Sequence, residues 1–222
     1  MTDDGLYKLM TWLSPSFPVG AYAFSHGIER ACELELVHDS DSTAAWIATL
    51  LASGSGQTDL ALFCLAYDAF GDDEQLADVI ATAASLFPSA ELSTESLAQG
   101  EAFIHTLLTC WPAPGLDVLA DEDRVAYPVA VAVAAAAHGI DRASALLAFA
   151  HAFSANLVSA AIRLVPLGQT DGQHITAMLA ERMPDALSRA NATTLDSVAS
   201  ATLISDICSM QHEHQYTRLF RS

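Results

Sequence analysis

The stretch from Ala143 to Leu167 is apolar on nearly all sides of a helical projection, with Leu146, Ala150, Phe153, Leu157 and Leu164 spread around it. A helix of that kind has little polar face to show to water, so it belongs at the centre of a bundle with others packed around it. Gly139 closes the segment before it, Asp141 is placed to cap its start, and Pro166 stops it. The stretch is interrupted by His151, Asn156 and Arg163. The other apolar run, Val125 to Ala137, falls short of the about 20 residues that a bilayer span requires. The chain therefore reads as soluble.

The remaining pattern supplies the surrounding helices. An N-terminal helix through Leu6, Met10 and Leu13 is predicted to end near Ser14, and a second turns through Ile28, Ala31 and Cys32 between Phe24 and Glu35. The Asp39–Ser42 cluster caps a helix carrying Trp46, Ile47, Leu50 and Leu51, which stops at Gly54. Leu60, Phe63, Cys64 and Tyr67 mark the next helix, ending at Gly71. Acids at Asp72, Asp73 and Glu74 open another, through Leu76, Val79, Ile80 and Ala83 to Pro88. Ser93 or Thr94 is expected to cap a helix with Leu97, Ile104, Leu107, Leu108 and Trp111 on one face, ended by Pro112 and Pro114. Val129, Val131 and Val133 alternate as in a strand, but the following alanines favour helix. Thr170 or Asp171 caps a helix with Ile175, Met178 and Leu179; Pro184 interrupts, and a last helix runs through Val198, Thr202 and Met210. The expectation is an all-α, single-domain bundle of about nine or ten helices over residues 1–222, with a seam near 112–123.

The formal net charge is −18. Residues 1–125 hold 20 acids and 3 bases, whereas residues 126–222 hold 7 acids and 6 bases. Such a chain is unsuited to nucleic acid, whose phosphates call for Lys and Arg. Its acidic part suits basic partners or cations, or simply keeps the protein dissolved. The four cysteines, Cys32, Cys64, Cys110 and Cys208, form no CxxC pair. There is no P-loop and no GxSxG elbow. Asp3 and Asp4 stand where a signal peptide would be positive, so a cytoplasmic location is expected.

Three features resist a purely structural reading. Leu13 to Glu29 packs two prolines, two glycines and three aromatics into an irregular segment that either plugs the bundle or covers a partner site. Arg163 is a charge near the end of the apolar central helix, suited equally to the helix carbonyls and to a partner. The tail from Gln211 to Ser222 carries Tyr216, Arg218, Phe220 and Arg221, residue types of interface hot spots, and it either docks on a partner or packs on its own bundle. Cys208 and His212, four apart, are weak metal-ligand candidates; the bland alternative is that Cys208 is apolar core. Glu29, Glu33 and Asp59 suggest no pairing.

The opening block, Ser14-Pro15-Ser16-Phe17-Pro18-Val19-Gly20-Ala21-Tyr22-Ala23-Phe24-Ser25-His26-Gly27-Ile28-Glu29, resembles the N-terminal signature of the UreF family of urease accessory proteins. Arg163-Leu164-Val165-Pro166-Leu167-Gly168-Gln169 and His212-Glu213-His214-Gln215-Tyr216-Thr217-Arg218-Leu219-Phe220-Arg221-Ser222 resemble two later family blocks, in the same order. The resemblance implies an all-helical, dimeric protein that is not itself an enzyme and holds no tight cofactor. Its expected partners are UreD (UreH in some species), the GTPase UreG and apo-urease, whose nickel centre the complex assembles as UreG hydrolyses GTP. By position it implies partner-binding roles for Pro18, Gly20, Tyr22, Ser25, His26, Gly27, Glu29, Arg163, Pro166, Gly168, Gln169, Glu213, Gln215, Tyr216, Arg218, Phe220 and Arg221, with the tail engaging UreD. The chain departs from the family at Ala21, where a second glycine is usual, and at Ala61, where a helix-start proline is usual. It departs again at Ala90-Glu91-Leu92-Ser93, which lacks two arginines seen in some relatives. The alternative is a stand-alone helical metal-binding protein or enzyme using the scattered His and Cys residues.

Overall fold

The computed structural model describes residues 2–120 and 122–222. Asp121, in the expected seam, lies outside the described residues. The described residues form eleven α-helices and no strand, in keeping with the all-α expectation. They are α1 (Asp3–Trp12), α2 (Ile28–Glu33), α3 (Ser40–Ser53), α4 (Ser55–Ala69), α5 (Asp73–Ser85) and α6 (Ala90–Cys110), then α7 (Tyr127–Ala137), α8 (Arg142–Leu164), α9 (Gln169–Ala180), α10 (Met183–Ala192) and α11 (Leu203–His212).

The caps follow the local chemistry. Asp39, Asp72 and Asp141 each accept a hydrogen bond from the backbone N–H at the third helical residue of α3, α5 and α8. α6 starts earlier than its Ser93 or Thr94 signal, because Pro88 forces the break and Ser89 directly after it takes the cap, accepting from the Leu92 N–H. Pro184 opens α10 instead of interrupting a helix, since a first-turn proline forgoes a hydrogen bond that the helix start lacks anyway. The last helix begins only at Leu203; Val198 lies in the loop before it.

α7 is the most deeply placed helix. Every residue from Val129 to Ala135 is fully buried, and it packs chiefly on α4 and α6. α8 contacts α4, α9, α7 and α2, as its apolar circumference requires, and among the described residues it alone is long and apolar enough to cross a membrane by length and composition. Small side chains let these helices approach closely. Gly100 of α6 is the extreme case: a Cβ there would sit 2.1 Å from the Val125 carbonyl oxygen. Leu116 and Leu119, within the connector after α6, are 1% exposed and belong to the one core that runs from Leu9 to Cys208.

Candidate functional site

Local backbone geometry explains the opening segment. Pro15 and Pro18 end α1 and hold the chain extended or turned up to Gly20, whose φ of 74° requires the left-handed region that glycine favours. Ala21 then begins a single 3-10 turn, Ala21–Ala23, so alanine in place of the family's second glycine carries no backbone cost. The chain turns again at His26 (φ 58°) and Gly27 (φ 79°). Gly27 is additionally a close-approach residue, because a Cβ there would meet the Ser209 backbone of α11 at 3.1 Å. This turn is why α2 starts at Ile28 and not at Phe24.

That geometry drives Glu29 into the interior, where it anchors the tail. Its Oε1 accepts the Leu219 N–H at 2.6 Å and its Oε2 accepts the Phe220 N–H at 2.9 Å. Oε2 also lies 3.0 Å from His212 Nε2, while His212 Nδ1 lies 2.7 Å from Glu91 Oε2. With both carboxylates ionised, only the doubly protonated imidazole can donate to each. Arg218 Nη1 donates to Glu91 Oε1 at 3.0 Å. Burial pushes the Glu91 carboxyl up; His212 and Arg218 oppose that shift and Glu213 adds to it. Ser222 donates its hydroxyl to Glu95 Oε2 at 2.7 Å, and its carbonyl accepts both the N–H and the hydroxyl of Ser25.

Arg163 closes the arrangement. Its Nη1 donates to the Tyr22 carbonyl at 2.8 Å, and its guanidinium lies 4.2 Å from the Phe220 ring centroid. It serves neither the α8 carbonyls nor bulk water alone: it clamps the opening loop and the tail together from the end of the central helix. Arg221 adds a backbone N–H to the Ala23 carbonyl and stacks its guanidinium 5.4 Å from the Phe24 ring.

The singled-out residues therefore divide into two groups. Ser25, His26, Gly27, Glu29, Phe220 and His212 are buried, with contacts inside the chain. Pro18, Tyr22, Arg163, Glu213, Tyr216, Arg218, Leu219 and Arg221 are exposed, Tyr216 completely. Gly20 and Gln215 are half-buried. Pro166, Gly168 and Gln169 build the exposed turn into α9, where the Gly168 N–H is met by Asp171, and they make no hydrogen bond to loop or tail among the described residues.

Two features singled out from sequence take their places in the fold. Cys208 is 1% exposed core, and both His212 nitrogens face carboxylates rather than Cys208. No group of three or more His, Cys, Asp or Glu among the described residues is arranged to hold a metal ion. Ala61 is not at a helix start: it lies well inside α4, where alanine leaves the hydrogen-bond ladder unbroken.

Behind the tail anchor lies a second ionisable cluster that the sequence did not reveal. His26 is 7% exposed, its Nε2 2.6 Å from Ser55 Oγ and its Nδ1 3.3 Å from Glu95 Oε1. Burial alone would lower His26, but Glu95, with Asp59 and Asp206 behind it, leaves it raised. Asp59 of α4 is pushed up to about 7 by burial, with Glu95 adding and His26 opposing. Its folded form thus keeps a proton that the unfolded chain has already lost at mildly acidic pH. The contribution of Asp59 to stability is fully present in acid and is lost as pH rises through about 7. Asp59→Asn is expected to flatten that decline, read from denaturant unfolding at about pH 5 and about pH 8.

Comparison with known proteins places this geometry. The UreF family model matches residues 37–180. The chain is 46% identical to the urease accessory protein UreF of Bradyrhizobium sp. (strain BTAi1) over 98% of its length and 92% of that protein's. The chain belongs to the UreF family of urease accessory proteins. It is likewise 45% identical to the UreF of Bradyrhizobium diazoefficiens and 47% identical to that of Xanthobacter autotrophicus, each over 98% of this chain and 91% of the relative. The family-model match stops short of the opening loop and the tail. The full-length relatives span both, so the anchored loop and tail lie within what this chain shares with other UreF proteins in extent.

Proposed function

We propose that this UreF-family chain is a non-enzymatic adaptor of urease maturation, acting in the cytoplasm as a homodimer. It binds UreD (UreH) and the GTPase UreG, and with them delivers nickel, as cargo, into apo-urease as UreG hydrolyses GTP. The observation that carries this reading is the anchored tail. Its buried side, Phe220 and Ser222, is fixed by Glu29, Glu95 and Ser25. Its outer side presents Tyr216, Leu219 and Arg221 beside exposed Tyr22 and Arg163. A rigid frame displaying aromatic and arginine side chains is what a protein interface uses as its anchor points.

The test is co-expression with cognate UreD and UreG, followed by size exclusion with light scattering. A single co-eluting assembly, with GTP hydrolysis traceable to UreG, is expected. Elution of this chain alone under every nucleotide and nickel condition would overturn the proposal. Tyr216 touches solvent on all sides, so Tyr216→Ala should leave stability within about 0.5 kcal/mol of the parent while weakening the UreD complex about tenfold or more. Arg163→Ala should fold, lose about 1 kcal/mol from the Phe220 stack and the Tyr22 hydrogen bond, and impair urease activation in a reconstituted assay. Full activation by the Arg163→Ala protein would remove this residue from the functional surface.

A further inference from the structure

A cavity of about 310 Å³ opens between the opening loop, α4, α6 and α8. That is the lower end of the range for small-ligand sites. Its walls are apolar: Phe17, Leu62, Phe87, Phe149 and Phe153 all line it. Tyr22 and His151 stand at the mouth, both exposed to solvent. Its polar end is formed by His26, Asp59, Glu95 and Gln99.

The charges at that end do not balance. His26 Nδ1 is 3.3 Å from Glu95 Oε1, so a protonated His26 is paired with Glu95. Glu95 also receives the Ser222 hydroxyl and the Gln99 amide. Asp59 has no such partner: among the described residues no donor hydrogen-bonds to it, and it faces the cavity. The buried Nδ1 of His26 has no well-formed hydrogen bond either. A half-buried carboxyl facing a cavity with aromatic walls, with no hydrogen-bonded counter-charge of its own, is matched by a cation carrying an apolar stem. A divalent metal suits the place poorly, because no group of three ligating side chains is arranged to hold one among the described residues.

We propose that this cavity binds a monovalent organic cation, an ammonium or guanidinium group on a short apolar stem, with its head at Asp59 and its stem against Phe87 and Phe153. Such a head is offered by a free amine or by a Lys or Arg side chain of a partner protein. Binding is coupled to loss of the Asp59 proton, so affinity rises with pH through about 7. The ionisable groups facing Asp59 are His26 from the opening loop and Glu95 from α6. Asp206 of α11 stands behind His26, and His151 of α8 stands at the mouth.

The experiment is calorimetric titration of the full chain with benzylammonium, and with benzyl alcohol as its uncharged counterpart, at about pH 6 and about pH 8. The expected result is one site per chain, at least about tenfold tighter at the higher pH, with benzyl alcohol about tenfold or more weaker. Asp59→Asn should lose the pH dependence and most of the affinity, whereas His151→Gln should keep the pH dependence. Equal binding of the alcohol, pH-independent binding, or no benzylammonium binding at all would overturn the proposal. All three readouts use the unaltered protein, so they stand even if a variant fails to fold. N-acetyl-arginine amide and an Arg-containing tripeptide distinguish the sources: competition by both assigns the cavity to a partner's side chain, and competition by neither assigns it to a free amine. None of these readouts depends on UreD, UreG or nickel, so this proposal and the adaptor reading fail independently.

Discussion

Gly100→Ala is expected to lower the unfolding free energy by about 3 kcal/mol, the upper end of ordinary overpacking penalties. The new methyl group would lie 2.1 Å from the Val125 carbonyl oxygen and 3.2 Å from the Tyr127 nitrogen. Both obstacles are backbone, so no side-chain rotation relieves the overlap. α6 must instead move away from the start of α7, and that separates one of the most extensive helix pairs in the fold. The gain in helix propensity, about 1 kcal/mol for Ala over Gly, is far too small to compensate. Denaturant unfolding of the two proteins measures the difference. A change smaller than about 1 kcal/mol would mean that the α6–α7 contact is not as close as described.

Glu29→Ala should release the tail. The substitution strips acceptors from the Leu219 and Phe220 N–H groups and leaves His212 buried with a single carboxylate. Breaking a buried, hydrogen-bonded ionic group in this way costs about 3–5 kcal/mol when the surroundings cannot respond. Here they can respond: residues 213–222 can peel off and let water reach the orphaned groups. The loss is therefore capped by the free energy that docks the tail. The expected outcome is a folded bundle whose tail is cut by trypsin after Arg218 about tenfold faster or more than in the parent. Glu29→Gln, which keeps one acceptor oxygen, should fall between the two. An unchanged cleavage rate in Glu29→Ala would show that the tail's other contacts, the Phe220 stack under Arg163 and the Glu91, Glu95, Ser25 and Ala23 bonds, hold it without Glu29.

These two residues also mark where sequence reading succeeds and where it stops. Helix positions were legible because caps and stops are local: Asp39, Asp72 and Asp141 act on N–H groups three residues away. The α6 start differs from its Ser93 or Thr94 signal because Ser89, directly after the break at Pro88, is an equally good local cap about one turn earlier. Gly100 carried an unused signal. A glycine inside a strongly helical run is costly unless something must come close to it. Glu29, Arg163 and the tail stood out by their family blocks, but their mutual contacts join residues 127 to 191 positions apart in most of the anchor's bonds, and no periodicity encodes such a meeting. His212 illustrates the point most sharply. Its helix-face neighbour Cys208 suggested a metal, whereas its actual partners, Glu29 and Glu91, come from two other helices. Asp59 was passed over for the same reason: its neighbours His26 and Glu95 become neighbours only in the folded bundle.

The Ser25–Ser222 contact spans 197 positions of chain. At ribosomal rates of about 5–20 residues per second, Ser222 is made about 10–40 s after Ser25. Once Glu29 and Glu95 have been made, their buried face has no tail to cover it until the last residues of the anchor follow. The nascent protein therefore passes through a stage in which the anchor is open, and the anchor closes only after both of its sides have been made.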